Sequence, residues 1–578
     1  MTSPREVLLV GEGNFSFSAA WCQAAADSAR VTATCLQSEE AARQQDSAEE
    51  NIQSLKDCGA EVYFQVDCTR LQEHEELTQR LFDCIIFNFP HCGRKSGVKK
   101  NRNLLAKFFC SCVQVLKEKG EVHVALCNGQ GGTPEDKPMR EWHNSWQVVA
   151  MAAEAGLILS DISSFNGDKH QGYRCTGYRS QDKGFHVEGA LTHTFTRSLP
   201  YTELQRVKMK AVLGRETVHF EIPEELSEYV NRDFLSPQSH HPVQIVEEQL
   251  LKELQLDWPV HRLEMDLPEL FRNSSDRLQT CGPDISSSDI YWIRPTETCV
   301  LGEEQQEAEE DCGSHPGGYG LRPSLLMHVP EVVQHPDLSL GALNAVSGLA
   351  FRRVPVSRSI SPVFHQLLLV GALPGESQAL LKLRSRLEAL LAPHGFSFEG
   401  EEEEGGAIQR VWVSSKGASR VGCLTLLPSP AEAPEGFQLC VATLNLDLLA
   451  RQLFSLSDWR LLWSADSRFL AHFLAEVPGP FRNFSLYPPA YTHDVSFWVE
   501  PDSFDELAFH SLVRQASAGA VQEVVLVDCF RHPHMGHASL CYRLTYQSPD
   551  RALSHGQALR MQLQLRQLLP LHLQVTLR

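Results

Sequence analysis

The sequence predicts a multidomain chain of α/β and α+β parts, and three observations carry that expectation. Its 578 residues, at roughly 100 to 200 per domain, are too many for one core. The first two hundred alternate apolar strand patterns with helical ones, the rhythm of a doubly wound parallel sheet. The last hundred read strand, helix, strand, strand, helix, strand, the ferredoxin-like βαββαβ order. Boundaries are expected at 1–200, 201–480 and 481–578.

In the first region, Val7 to Val10 predicts a strand and Phe17 to Asp27 a helix. Val31 to Leu36 predicts a second strand, followed by a polar helix and by strands over Val62 to Val66 and Cys84 to Phe89. Ligands bind such sheets at the carboxyl ends of the strands, and three pointed segments fall there. Gly11-Glu12-Gly13 follows a buried-type strand and precedes a helix, where glycines admit a ligand to the backbone and a helix N-terminus can receive a polar group. A tight turn alone also explains it. Asp67 stands where an acid can accept a hydrogen bond from an adenine amino group, or where it simply caps a helix. Asn88-Phe89-Pro90-His91 joins an amide, an aromatic face, a stiff turn and an imidazole, a set able to hold a planar base or merely to close a strand.

At the C-terminal end, strands are expected over His493–Glu500, Val521–Phe530, Ala538–Tyr546 and Leu571–Leu577, with helices over Ser503–Ser517 and His555–Leu569. Ser503-Phe-Asp-Glu506 and Ser554-His-Gly-Gln557 read as capping boxes at the two helix starts. His532, His534 and His537 have a metal-like spacing, but a hairpin position favours a solvated loop, and no metal site is expected.

Composition narrows the function classes. With 42% hydrophobic and 21% charged residues most of the chain should fold, and no run reaches the roughly 18 to 20 apolar residues of a bilayer span. A strand beginning within about six residues of Met1 leaves no room for a presequence, so cytosol, nucleus or nucleolus is expected. Seventeen cysteines without a CxxC pair fit neither a zinc ribbon nor a disulfide framework. The net charge of −20 argues against a generic nucleic-acid coat protein, so RNA binding would need local basic patches. One patch gathers Arg94, Lys95, Lys99, Lys100, Arg102 and Lys107 with no acid between them, as a phosphate clamp or a plain exposed loop. Glu303 to Asp311 and Glu399 to Glu404 read as solvated acidic loops.

The stretches LLVGEGNFSFS, VDCT and IIFNFPHCG, with Asn101 to Phe109, Gly120 to Val124, Trp146 and Gly172-Tyr173, resemble the large-subunit-rRNA uridine-N3 methyltransferases. That resemblance covers residues 5 to 195. It implies a Rossmann-like class I fold, S-adenosyl-L-methionine as cofactor held by Gly11, Glu12, Gly13, Asn14 and Asp67, and catalysis by Asn88, Phe89 and His91. Deprotonating uridine N3 needs a base near neutral pKa, the role given to His91, while Asn88 would bond O4 or the N3 proton and Phe89 would stack on the base. One departure is Gln37, standing where the family commonly has an acid for the ribose; Glu39 or Glu40 could substitute.

YPPAYTHDVSFWV, VVLVDCF, SLCYRLTYQS and the final helix are similar to the ferredoxin-fold anticodon-binding domain of mitochondrial-type phenylalanyl-tRNA synthetases. The similarity implies RNA contacts from the sheet face, here Arg531, Tyr542 and Arg543. In the middle, HPVQIVEEQL, GLAFRRV, SPVFHQLLLVG and DLLARQLFSLSDWRLLWSADSRFL resemble a class II synthetase catalytic domain. Arg352, Arg353, His365 and Gln366 match its motifs. Leu368 replaces a glutamate and Leu448 an arginine after Asp447, with Thr443 and Asn445 in place of glycines, so amino-acid activation is expected to be lost. Together these imply an RNA methyltransferase with rRNA, and possibly through its last domain tRNA, as partner; a non-catalytic RNA-binding adaptor is the other reading.

Overall fold

The computed structural model describes residues 4–25, 28–93, 96–176, 185–274, 278, 285–300, 318–374, 378–402, 408–415, 419–427, 437–475, 477–500, 504–534 and 536–578. The chain forms two compact units. The first is Met1–Tyr201 with Asn483–His493 and Thr545–Gln564; the second is Thr202–Arg482 with Asp494–Leu544 and Leu565–Arg578.

The first unit is built on β1 (Arg5–Val10), α1 (Ser16–Ala25), β2 (Ala29–Thr34), α2 (Glu39–Arg43), α3 (Ala48–Asp57), β3 (Glu61–Tyr63), β4 (Phe82–Asn88), α4 (Val98–Val115), β5 (Leu116–Leu126), α5 (Val148–Ala153), β6 (Leu157–Ser164) and β7 (Leu191–Arg197). The sheet order is β3-β2-β1-β4-β5-β7-β6. Its first five strands run parallel, and β7 is antiparallel to both β5 and β6. Strand alternation sends Leu8, Val10, Ile85, Phe87, Val122 and Val124 to the face covered by Leu105, Phe108 and Phe109 of α4. Val7, Leu9, Val31, Cys84 and Ile86 go to the other face, under Phe17 and Cys22 of α1 and Ile52 and Leu55 of α3. Burial on both faces explains why these strands read as continuous apolar runs. The strand expected over Val62 to Val66 stops at Tyr63, because Gln65 has a φ of 56° and turns the chain toward Asp67.

Segments far along the chain complete this unit. Leu486 N donates to Leu159 O at 2.7 Å, Ala552 N to Ser198 Oγ at 2.9 Å, and Ala552 packs with Ala153, Ile158 and Phe484.

In the second unit a seven-stranded sheet runs, in spatial order, Val260–Arg262, Leu343–Phe351, Val363–Pro374, Phe437–Asn445, Arg420–Leu427, Ile408–Ser415 and Phe396–Glu402. All its resolved pairings are antiparallel except the first, which is parallel. Glu399 to Glu402 therefore belong to an edge strand, not to an acidic loop; residues 303–311 and 403–404 lie outside the described residues.

The C-terminal ferredoxin-fold domain has strands Tyr491–Val499, Val521–Arg531, Ala538–Tyr546 and Thr576–Leu577 and helices Glu506–Ser517 and His555–Leu573. In space the second strand lies at one edge, then the third, first and fourth. The first helix begins later than expected, capped by Asp505 accepting from Ala508 N at 3.0 Å; Ser503 lies outside the described residues. The second keeps its capping box, with Gln557 N donating to Ser554 Oγ at 3.1 Å and Ser554 N to Gln557 Oε1 at 2.9 Å. That helix runs through Pro570 to Leu573, so the last strand shrinks to two residues. Among the described residues no helix is long and apolar enough to cross a membrane.

Candidate functional site

The three segments singled out in the sequence meet at one cavity of about 670 Å³, at the carboxyl ends of β1 and β4 and beyond β3. Gly11 has a φ of 70°, and a Cβ there would come within 2.3 Å of Phe87. A Cβ on Gly13 would meet Thr176 Oγ1 at 2.3 Å. Both glycines are thus demanded by close approach, Gly11 by its backbone as well. Between them Glu12 lines the cavity and accepts from Ser18 N at 3.3 Å. Burial pushes its carboxyl up to about 7, against the opposing pull of the Ser18 hydrogen bonds. Asn14 also lines the cavity, but its amide is spent locally, donating to Asp46 O at 3.2 Å and accepting from Ser16 N at 3.2 Å.

Asp67 is half-buried on the wall. Burial pushes its carboxyl up, but hydrogen bonds from Thr69 N (2.9 Å) and Thr69 Oγ1 (2.7 Å) and the Arg70 charge outweigh it, leaving it below the ordinary range. It therefore stays ionised, with Oδ1 engaged by Thr69. Gln37 and Gln45 line the cavity together and hydrogen-bond each other. Glu39 and Glu40 are exposed on α2, Glu39 paired with Arg43 at 2.7 Å, and neither borders the cavity. The place where the resemblance expects a ribose acid thus offers amides and not a carboxylate.

Asn88, Phe89 and His91 also line it. Asn88 Nδ2 is buried with no hydrogen-bond partner among the described residues, a donor whose burial costs about 1 to 3 kcal/mol until something accepts from it. Phe89 holds a φ of 51°, strain of roughly 1 to 3 kcal/mol of the kind that concentrates at functional sites. Its ring stacks on Phe185 at 5.7 Å and meets Phe165 edge-on at 5.1 Å, so one face is already covered by protein. His91 Nδ1 accepts from Gly93 N at 2.9 Å, which places the neutral ring's proton on Nε2. Burial holds its pKa below the ordinary value. As folded, His91 is therefore a neutral donor and not the ready base expected from the sequence. Asn101 fixes this turn, its Oδ1 accepting from Cys92 N at 3.0 Å.

Sequence reasoning missed the far wall. Tyr173, Arg174, Cys175, Thr176 and Phe185 close the cavity, anchored by Ser16 Oγ, which accepts from Arg174 N at 3.0 Å and donates to Arg174 O at 3.1 Å. Of these only Tyr173 fell in a stretch carrying the methyltransferase resemblance.

Lys99 and Lys100 are exposed on the first turn of α4, while Arg94 and Lys95 lie outside the described residues. In the ferredoxin-fold domain Arg531 is exposed, and Arg543 is exposed but pairs with Asp494 through two 2.8 Å bonds. Tyr542 is a correction: neighbouring strand residues face opposite ways, and Tyr542 is the inward one. It is buried against Phe497 and Phe509 and donates to Glu506 at 2.9 Å, so it cannot meet RNA.

Residues 8–177 match the family described as rRNA (uridine-N3-)-methyltransferase BTM5-like, and residues 485–578 match the ferredoxin-fold anticodon binding domain. Over 99% of both chains the protein is 42% identical to ferredoxin-fold anticodon-binding domain-containing protein 1 of Homo sapiens. The chain belongs to the ferredoxin-fold anticodon-binding domain-containing protein 1 family. The family's homolog in Mus musculus is also 42% identical, over 97% of this chain and 98% of its own. The mitochondrial phenylalanine--tRNA ligase of Saccharomyces cerevisiae is 39% identical over 119 residues, 20% of this chain and 25% of that one.

In this member of the family the second-unit residues that carried the synthetase resemblance are buried or engaged by neighbouring groups. His365 is buried, its Nδ1 2.9 Å from Asp447 Oδ1, and Trp463 stacks on it at 5.2 Å. Phe234 stacks on His241 at 3.8 Å and touches both His365 and Trp463. Gln366 Oε1 accepts from Leu325 N (2.6 Å) and Ser324 Oγ (3.1 Å). Arg352 Nε donates to Pro323 O, and Arg353 pairs with Asp505 at 2.7 Å. Leu368 is buried among Leu325, Val346, Val370 and Val441. Asn445 caps the helix Leu446–Leu453 by accepting from Leu448 N at 3.0 Å, and Thr443 is buried in the strand before it. His532 and His534 have rings 6.3 Å apart in an exposed hairpin.

Proposed function

We propose that the first unit is an S-adenosylmethionine-dependent RNA methyltransferase acting on uridine N3, with large-subunit rRNA the favoured substrate. The observation that carries this reading is convergence: Gly11 to Asn14, Asp67 and Asn88, Phe89 and His91, distant in sequence, line one nucleoside-sized cavity with a buried amide left to bond a ligand. We read the sheet as the Rossmann-like class I methyltransferase arrangement, residues 201–480 as a synthetase-like domain that has lost amino-acid activation, and 481–578 as an RNA-binding addition.

The cavity fits the cofactor. Gly11 and Gly13 let the turn after β1 pack against Phe87 and Thr176 with its backbone bare on the cavity wall, Asp67 is an ionised acceptor for an amino group, and the Gln37–Gln45 pair offers amides to ribose hydroxyls. When bound, S-adenosylmethionine supplies an electrophilic methyl carbon. The N3 proton must leave before or as that carbon is attacked. One group on the wall, Glu12, can hold a proton near neutrality; His91 could accept one only once Nδ1 is released from Gly93, and burial works against its charged form. Asn88 Nδ2 can donate to a uracil carbonyl, which polarises the ring and acidifies N3. Phe165, Phe185 and the Asn101 bond to Cys92 N hold that strained turn in place for the base.

A non-catalytic adaptor is the second reading, favoured by amides where the ribose acid would stand. Cofactor-induced thermal shift separates them, since a ligand of the folded state raises the melting temperature. The deciding assay maps N3-methyluridine in rRNA and tRNA from cells lacking the protein. Loss of the mark at one site, restored by wild type but not by Gly11→Ala/Gly13→Ala, is the expected result; persistence of every mark refutes the methyltransferase.

A further inference from the structure

The loop that leaves β5, residues 127–147, is more strongly braced than a connecting loop needs to be. Asp136, buried, has its carboxylate caged by three backbone amides: Gly129 N at 2.9 Å, Gly132 N at 2.7 Å and Thr133 N at 3.0 Å. Arg102 of α4 spends its guanidinium on three carbonyls of the same loop, Ser145 O at 2.6 Å, His143 O at 2.8 Å and Trp142 O at 3.3 Å. Ser145 Oγ and Gln147 Nε2 also donate to Trp142 O, at 2.9 and 3.1 Å. Tyr487 OH donates to Glu135 at 2.7 Å. Among the polar side chains this loop presents to solvent, Glu135, Lys137, Arg140, Glu141, His143 and Asn144, two large apolar ones stand out: Trp142 is 45% exposed and Met139 68%.

An exposed tryptophan on a pre-organised loop is a stacking surface, and its place says for what. The loop starts at the carboxyl end of β5, next to β4, whose end carries Asn88 to His91. At its other end Trp146 lies 6.1 Å from the His91 ring. Beside it the exposed Lys99 precedes Arg102 by three residues on α4, hence on the same helix face, with exposed Lys100 adjacent. An exposed aromatic ring and exposed cations, on a loop and helix that reach a base-sized cavity through Trp146 and His91, form the kind of surface that holds single-stranded RNA, by stacking on the ring while lysines meet phosphates.

We propose that Trp142 is a substrate-positioning residue, stacking a base that flanks the target uridine in single-stranded RNA, with Lys99 and Lys100 on the adjoining phosphates. This rests on the methyltransferase reading of the neighbouring cavity.

The test uses the full chain, a dodecauridylate carrying one 4-thiouridine, and S-adenosylhomocysteine. Photocrosslinking followed by peptide mapping is expected to mark residues 137–147. Trp142→Ala should lower that crosslink about tenfold at subsaturating RNA, the scale of one lost stacking contact, while Trp142→Phe stays close to wild type. Affinity for S-adenosylhomocysteine, read by calorimetry, should be unchanged in both variants, which also reports that the fold is intact. In methyl transfer Trp142→Ala should raise KM for RNA and leave kcat in place. An unmarked 137–147 peptide, or equal crosslinking by Trp142→Ala and wild type, overturns the inference and leaves the patch to a protein contact. Wild type that crosslinks through Trp142 yet fails to bind S-adenosylhomocysteine overturns the methyltransferase reading instead, and keeps the RNA platform.

Discussion

Glu12→Gln tests the electrostatics of the cavity directly. Burial lifts the Glu12 carboxyl from 4.5 to about 7, so the folded chain binds that proton more tightly than the unfolded chain does. The stabilising effect of this proton is full below pH 4.5, declines as pH rises toward 7, and is gone above it. Holding the ionised carboxylate in the ligand-free protein then costs about 3 kcal/mol, which is the most that an amide of the same shape can recover. Glu12→Gln should therefore raise the melting temperature at pH 8 by several degrees and change it far less at pH 5. The same variant should lose affinity for a sulfonium ligand, because a cation favours the carboxylate and an amide carries no charge for it. Wild type should release protons on binding S-adenosylmethionine near pH 7, visible as calorimetric heats that depend on the buffer. Equal melting shifts at both pH values, or destabilisation at pH 8, would refute the argument.

Further outcomes are expected. Arg514→Ala removes one partner of a buried ion pair with Glu225 and should cost about 3 to 5 kcal/mol in denaturant unfolding, part of it regained when Glu225→Gln is added. Leu368→Glu, the glutamate that the synthetase resemblance expects, places a carboxylate among Leu325, Val346 and Val370 and should destabilise by several kcal/mol. Neither it nor Leu448→Arg should give phenylalanine-dependent pyrophosphate exchange. Tyr542→Phe should lose about 1 kcal/mol with its Glu506 bond and leave RNA affinity unchanged, whereas Arg531→Ala/Arg543→Ala should weaken RNA binding and flatten its salt dependence.

What the sequence made legible follows from which forces are local. Val7 to Val10 and Cys84 to Phe87 are buried on both faces, so their apolar runs announce central strands and place the turns after them at the ligand edge. The cavity's far wall was hidden because Arg174 to Thr176 and Phe185 reach it through tertiary contacts that leave no periodic mark. The inward turn of Tyr542 could have been read from strand alternation beside an exposed Arg543. The last strand was overestimated because Pro570 suggests a break, yet the helix continues past it to Leu573. The role of His91 depends on one backbone donor, Gly93 N, that no side-chain pattern reveals.

The first unit takes in residues 483–493 and 545–564, separated from its sheet by the whole 202–482 stretch. During synthesis the apolar surface of Ala153 and Ile158 therefore stays unsealed until Phe484 and Ala552 have been made. A truncation at residue 201 would strand it in that unfinished state for good. Insoluble N-terminal fragments would then report an unsealed core and say nothing about catalysis, and the proposed methyl transfer is best assayed in the uncut chain.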